Sequence, residues 1–101
     1  MSPRSDSVRT QLLRLGFEDS ARARDELARL GDRAEPLVAI LARTADPDQA
    51  LAGLARLAER TGPDLVTELA DDEGTAMRLL SVLGASQALA DHLCRHPEQW
   101  R

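Results

Sequence analysis

Apolar residues recur every three or four positions along this chain, in short runs broken by Gly, Pro, Asp and Ser, and no stretch alternates strictly as a half-buried strand would. The pattern predicts an all-α fold: a compact bundle of six or seven short helices forming a single domain over residues 1–101. The first segment takes Ser5 or Ser7 as N-cap and presents Val8, Leu12 and Leu15 on one face. Gly16 supplies the left-handed residue that ends it, and Phe17 turns back onto that face. Asp19 caps a second segment with a face of Ala23, Leu27 and Leu30, stopped by Gly31. The third, near Glu35 to Arg43, tolerates Pro36 in its first turn, where a missing N–H costs nothing, and carries Leu37, Val38, Ile40 and Leu41.

The fourth segment has Asp46 as N-cap, Pro47 at the first helical position and a stripe of Leu51, Leu54, Leu57 and Ala58, closed by Gly62 and Pro63. A fifth uses Leu65, Val66 and Leu69 before an acidic turn, Asp71-Asp72-Glu73-Gly74. The sixth carries Met77, Leu79, Leu80, Val82 and Leu83 and is expected to end at Gly84. Ser86 caps a seventh, which carries Leu89 and Leu93 as far as His96-Pro97. Helices this short are held by packing rather than by propensity, so neighbouring hairpins must bury one another's stripes. The "LGF", "LGD" and "LGAS" junctions are alike, but no fixed repeat period defines a solenoid.

Composition narrows the function. With 101 residues the chain buries about 65% of its unfolded surface, enough for a modest core. The 13 basic residues are all Arg, which reads as the codon bias of a GC-rich genome, and they are outnumbered by 17 acidic ones. A net charge of -4 offers no positive field for nucleic acid or an anionic membrane surface, so neither is expected as a partner. The longest apolar run, Leu37 to Ala42, falls far short of the roughly 20 residues that span a bilayer, and the N-terminus has no apolar core of an export signal. A cytoplasmic setting is the expectation, and a single Cys94 agrees with it.

Candidate chemistry is sparse. His92 and His96 share a helical face at i, i+4, but Cys94 lies on the other side of the axis, and no further His or Cys exists to complete a metal site. Cys94 reads as a small packed residue and the two histidines as groups that complement a helix C-terminus. Asp46-Pro47-Asp48 has the spacing of a paired-carboxylate magnesium clamp. Because the pair opens a helix, with proline between and no phosphate loop before it, capping is the better reading. Asp71-Asp72-Glu73 reads as a solvated turn with helix-start charge. There is no Gly-rich phosphate loop and no Ser/His/Asp set, so no catalytic, cofactor-binding or metal residue is assigned. Arg22, Arg24, Arg29, Arg56 and Arg60 alternate with acids, as on a salt-bridged outer surface.

One stretch carries a family likeness. "LLSVLGASQALADHLCRHPEQW" resembles a segment near the start of bifunctional glutamine synthetase adenylyltransferases, in which a helix, Gly-x-Ser, a second helix and Arg-x-Pro follow in order; the matching positions are Leu79, Leu80, Leu83, Gly84, Ser86, Leu89, Leu93, Arg95 and Pro97. "LLRLGFEDSARARDEL" (Leu12 to Leu27) and "DPDQALAGLARLAE" (Asp46 to Glu59) are similar to the actinobacterial branch of that family. The resemblance implies the N-terminal helical part of a longer enzyme. In that family, two nucleotidyltransferase domains, one attaching AMP to a tyrosine of glutamine synthetase and one removing it, flank a regulatory helical region; each active site uses a Gly-Ser loop and an Asp-x-Asp pair binding magnesium, and ATP is implied for the full-length enzyme. Gly84-Ala85-Ser86 has no Asp-x-Asp beyond it, so no catalytic residue of the family carries over. The expected partners are the following catalytic domain of the same polypeptide and, at family level, glutamine synthetase. Pro97 ends the seventh helix and Trp100 offers a large apolar contact, so Leu93, Pro97 and Trp100 form a candidate domain junction, and the end at Arg101 fits the edge of a larger domain. The alternatives are a free-standing helical interaction module and a self-associating bundle; continuation of the reading frame past Arg101 into Gly-Ser and Asp-x-Asp motifs would favour the first reading.

Overall fold

The structure, a computed structural model, describes residues 10–62 and 64–100, with the side chain of Trp100 excepted. The expected roles of Ser5, Ser7, Val8 and Pro63 lie outside the described residues. Among the described residues, seven α-helical segments and two 3-10 turns follow one another: α1 (residues 10–14), α2 (Ser20–Leu30), a 3-10 turn at Asp32–Ala34, α3 (Glu35–Ala42), α4 (Pro47–Thr61), α5 (Asp64–Asp71), α6 (Glu73–Ala85), α7 (Gln87–Arg95) and a 3-10 turn at Pro97–Trp100. Among the described residues there is no strand, and the all-α bundle is as the pattern predicts.

Local chemistry sets the helix starts. A side-chain oxygen of Asp19, Asp46, Asp72 and Ser86 accepts the backbone N–H three residues on, at Arg22, Gln49, Thr75 and Leu89, each at 3.1 Å. Each bond satisfies one of the donors a helix start leaves open. Gly31 and Gly62, both at positive φ, end α2 and α4. The acidic stretch at 71–74 is not a separate turn: Asp72 alone lies between helices, and Glu73 and Gly74 already belong to α6.

α4 is the axis of the bundle. It packs against α2, α3, α5, α6 and α7, and Ala50, Leu51, Gly53, Leu54 and Leu57 are all buried along it. Leu37, Ile40 and Leu41 of α3, Leu65, Val66 and Leu69 of α5, and Leu79, Leu80 and Leu83 of α6 close the core around it. Phe17 joins that core at 1% exposure. Its backbone N–H bonds to the Leu12 carbonyl at 3.1 Å, the turn-back the sequence suggests.

Three faces differ from the periodic reading. α6 does not end at Gly84; it continues through Ala85, and Ser86 is both its C-cap and the N-cap of α7. Gly84 is needed for space instead, because a Cβ there would sit 2.8 Å from Thr44 Cβ and 3.2 Å from Ala50 Cβ. On α7 the fully buried position is Ala90, whereas Leu89 is 50% exposed; the inner face runs through Ala90, Leu93 and Cys94, one residue round from the expected stripe. On α2 the most buried positions are Ser20, Ala23 and Glu26, and Leu27 and Leu30 are only half-buried.

Candidate functional site

The polar side chains gather in a cleft of about 410 Å³ between α2, α4 and α7, lined among others by Arg22, Asp46, Asp48, Gln49, Arg56 and Gln87. Each is engaged in holding helices in place. Asp46 caps α4 through the Gln49 N–H at 3.1 Å, and Asp48, in the first turn of α4, accepts the backbone N–H of Glu18 at 2.6 Å, which ties the α1–α2 corner to the start of α4. Gln49 Nε2 donates to the Leu83 carbonyl at 3.0 Å near the end of α6. Arg22 Nε meets Glu26 at 3.0 Å, so that the buried Glu26 carboxylate keeps a charge partner. Asp46 and Asp48 therefore each give one carboxylate oxygen to a backbone N–H, the first within α4 and the second across to the α1–α2 corner, as the capping reading expects of Asp46. Asp46→Ala is expected to cost about 1 kcal/mol, while Asp46→Asn stays within about 0.5 kcal/mol of the parent because asparagine caps equally well. Urea unfolding of the two variants checks this.

Across the cleft, Arg56 Nη2 of α4 and Asp91 Oδ1 of α7 pair at 2.8 Å, and Gln87 Nε2 approaches the same oxygen at 3.4 Å. Hydrogen bonding from Arg56 holds Asp91 below the ordinary carboxylate value of 3.8, and the same bond raises Arg56. Asp72 is lowered as well, first by the backbone N–H of Thr75 and then by its hydroxyl. A carboxylate lowered in the folded state adds stability that is present above its unfolded value and lost as pH falls through its folded one. The contribution of these two carboxylates is therefore expected to be fully present above about pH 5 and to be lost as acidification passes 3.8 and continues below it. Asp91→Asn should flatten part of that acid limb in thermal melts collected from pH 7 to 3. Both carboxylates are open to solvent, so added salt should shrink the Arg56–Asp91 contribution.

The histidines do share a face. Their ring centroids lie 4.8 Å apart, His92 Nε2 is 2.8 Å from Gln99 Oε1, and His96 Nδ1 is 3.9 Å from Glu98 Oε1. Cys94 points elsewhere, with Sγ 3.9 Å from the Gly53 carbonyl and the side chain packed against the core. Among the described residues, no group of three or more His, Cys, Asp or Glu side chains is placed to hold a metal ion. Of the expected junction, Leu93 and Pro97 are half-buried at the end of α7, and the side chain of Trp100 lies outside the described residues. No helix among the described residues is long and apolar enough to cross a membrane.

Sequence reasoning missed the contacts that close the cleft, Glu18 to Asp48 and Gln49 to Leu83, because they join residues 30 and 34 positions apart and no periodicity records such a pairing.

What these features define is a helical segment whose polar residues brace its own helices. No family model matches the chain and no solved structure matches it. Curated relatives do. The chain is 49% identical over its whole length to a bifunctional glutamine synthetase adenylyltransferase/adenylyl-removing enzyme of Streptomyces coelicolor and 45% identical over 97% of its length to that of Streptomyces avermitilis; in each case it spans 11% of the relative. It is 44% identical over 87% of its length to the enzyme of the same description from Mycobacterium tuberculosis, spanning 10% of it. The chain belongs to the family of bifunctional glutamine synthetase adenylyltransferase/adenylyl-removing enzymes, and covers about one ninth of the length of the relatives it matches.

Proposed function

We propose that this chain is a non-catalytic, N-terminal helical segment of an enzyme that attaches AMP to glutamine synthetase and removes it, and that it serves as a scaffold for catalytic domains carried elsewhere in the same cytoplasmic polypeptide. The observation that carries this reading is identity of 49%, over an alignment that covers the whole chain, to about one ninth of such an enzyme. It is supported by the cleft, where Asp46 caps α4, Asp48 ties the α1–α2 corner to α4, Arg22 pairs with Glu26 along α2, and Arg56 joins α4 to Asp91 of α7. ATP and magnesium belong, in this reading, to the remaining part of the enzyme, and Asp46 and Asp48 serve as helix-start groups that each accept a backbone N–H. Leu93, Pro97 and Trp100 form the junction toward the catalytic domain that follows.

The test is a chimera in which this chain replaces the corresponding ninth of the Streptomyces coelicolor relative, assayed for AMP transfer from ATP to glutamine synthetase with magnesium present. The expected result is activity in the chimera within about tenfold of the parent, a barrier change of roughly 1.4 kcal/mol or less, and none from the 101-residue chain alone. A folded but inactive chimera, or AMP transfer by the isolated chain, overturns the proposal.

A further inference from the structure

α2 carries more apolar surface than the described residues of the bundle cover. Its innermost positions are Ser20, Ala23 and Glu26, so the stripe that a self-sufficient helix would turn inward, Leu27 and Leu30 included, is left half in solvent. Beside it runs a groove of about 670 Å³ walled by α1, α2 and α3. On α2 the wall consists of Arg24, Leu27 and Ala28, spaced at i, i+3 and i+4, with the cap residue Gly31 just beyond the helix; on α3 it consists of Glu35, Val38 and Ala39, spaced at i, i+3 and i+4. These are the spacings of helix ridges, and the small residues Ala28, Gly31 and Ala39 leave the depression between them into which the ridge of another helix fits. Leu15, Leu27 and Val38 are half-buried at its sides, packed against the core on one flank and open on the other. The charges lie at the rim, Arg24 on one side and Asp32 and Glu35 at the end where α3 begins.

We infer that this groove is the seat of an amphipathic helix from the remaining polypeptide of the longer enzyme, a surface separate from the junction at Leu93, Pro97 and Trp100. The inference rests on the proposed function. The relatives contain about nine times the length of this chain, so a large covalently attached partner is the occupant at hand, and attachment supplies it at high effective concentration. The occupant presents apolar residues at i, i+3, i+4 and i+7 to Leu15, Leu27 and Val38, with a basic residue against Asp32 and Glu35.

Single cysteines introduced by Ala28→Cys and Ala39→Cys test it, since both parent side chains are exposed on the groove wall. Each variant is reacted with N-ethylmaleimide in the isolated chain and in the Streptomyces coelicolor chimera, and the rate at that position is read by peptide mass spectrometry. The expected result is labelling at least tenfold slower at both positions in the chimera, with rates in the isolated chain independent of its concentration. Equal rates in the two contexts overturn the inference. So does labelling of the isolated chain that slows as its concentration rises, which would make a second copy the occupant. AMP transfer by the same chimera separates the two claims: an active chimera with a freely labelled groove overturns the docking alone, whereas an inactive chimera with a protected groove overturns the functional reading alone.

Discussion

Replacing Phe17 by alanine is expected to remove about 3–5 kcal/mol of stability, the range for truncating a fully buried aromatic side chain. The chain's single Phe sits in the loop between α1 and α2, at 1% exposure in a core otherwise made of Leu, Ile, Val and Ala. Those aliphatic neighbours belong to helices fixed by caps and by packing on α4, so they cannot collapse fully into the space the ring would leave. The loop itself is pinned on both sides. Gly16 lies against Pro47 with φ +106°, the Phe17 N–H bonds to Leu12, and the Glu18 N–H bonds to Asp48. Domains of this size are stable by about 5–15 kcal/mol in all, so Phe17→Ala should leave a marginal protein. Phe17→Leu, which keeps most of the volume, should cost less than about 1.5 kcal/mol. Urea unfolding followed by helical circular dichroism checks both. A loss below 1 kcal/mol for Phe17→Ala would mean that the α1–α2 corner lies outside the cooperative core.

Much of the fold was legible because its punctuation is chemical. Asp19, Asp46 and Ser86 cap where the sequence places them, Gly16, Gly31 and Gly62 take positive φ, and the leucines of α4 point inward at helical spacing. What was not legible depends on the neighbour rather than on the element. Leu89 and Ala90 differ by one position in a nine-residue helix, and residue hydrophobicity favours the leucine. The inner place goes to the alanine of the Ala90, Leu93 and Cys94 face, which turns toward α4, where Cys94 Sγ lies 3.9 Å from the Gly53 carbonyl. Glu26 is buried against expectation because Arg22, one turn earlier, supplies its partner. The groove beside α2 is not legible for a related reason: periodicity shows that Leu27 and Leu30 are apolar, not that the other described residues leave them half-covered. As for the cleft, its residues were legible as caps and charges singly, but their convergence depends on how α2 and α7 lie across α4.

Gly84 supplies the second large expected effect, and it runs against helix propensity. Inside a helix, alanine is favoured over glycine by about 1 kcal/mol, so Gly84→Ala at a helical position would ordinarily stabilise. Here the added methyl meets Thr44 Cβ at 2.8 Å, Thr44 Oγ1 at 2.9 Å and Ala50 Cβ at 3.2 Å. None of these can swing aside cheaply: Thr44 donates its hydroxyl to the Leu41 carbonyl at 2.7 Å, and Ala50 has no rotamer to change. The end of α6 must therefore back away from the α3–α4 corner, loosening Leu83 against Gly53 and the Gln49 bond to the Leu83 carbonyl. Overpacking of this kind costs about 1–3 kcal/mol, enough to outweigh the propensity gain. Gly74→Ala is the matched control, since it lies in the first turn of the same helix and its added methyl meets nothing nearer than Asp72 Oδ1 at 3.6 Å. Gly74→Ala should accordingly raise stability by up to about 1 kcal/mol. Opposite signs for the two substitutions, read from thermal melts of otherwise identical chains, would place the close approach of α6 to the α3–α4 corner among the contacts that hold the bundle together. A neutral or stabilising Gly84→Ala would mean that α6 sits farther from Thr44 than the structure has it.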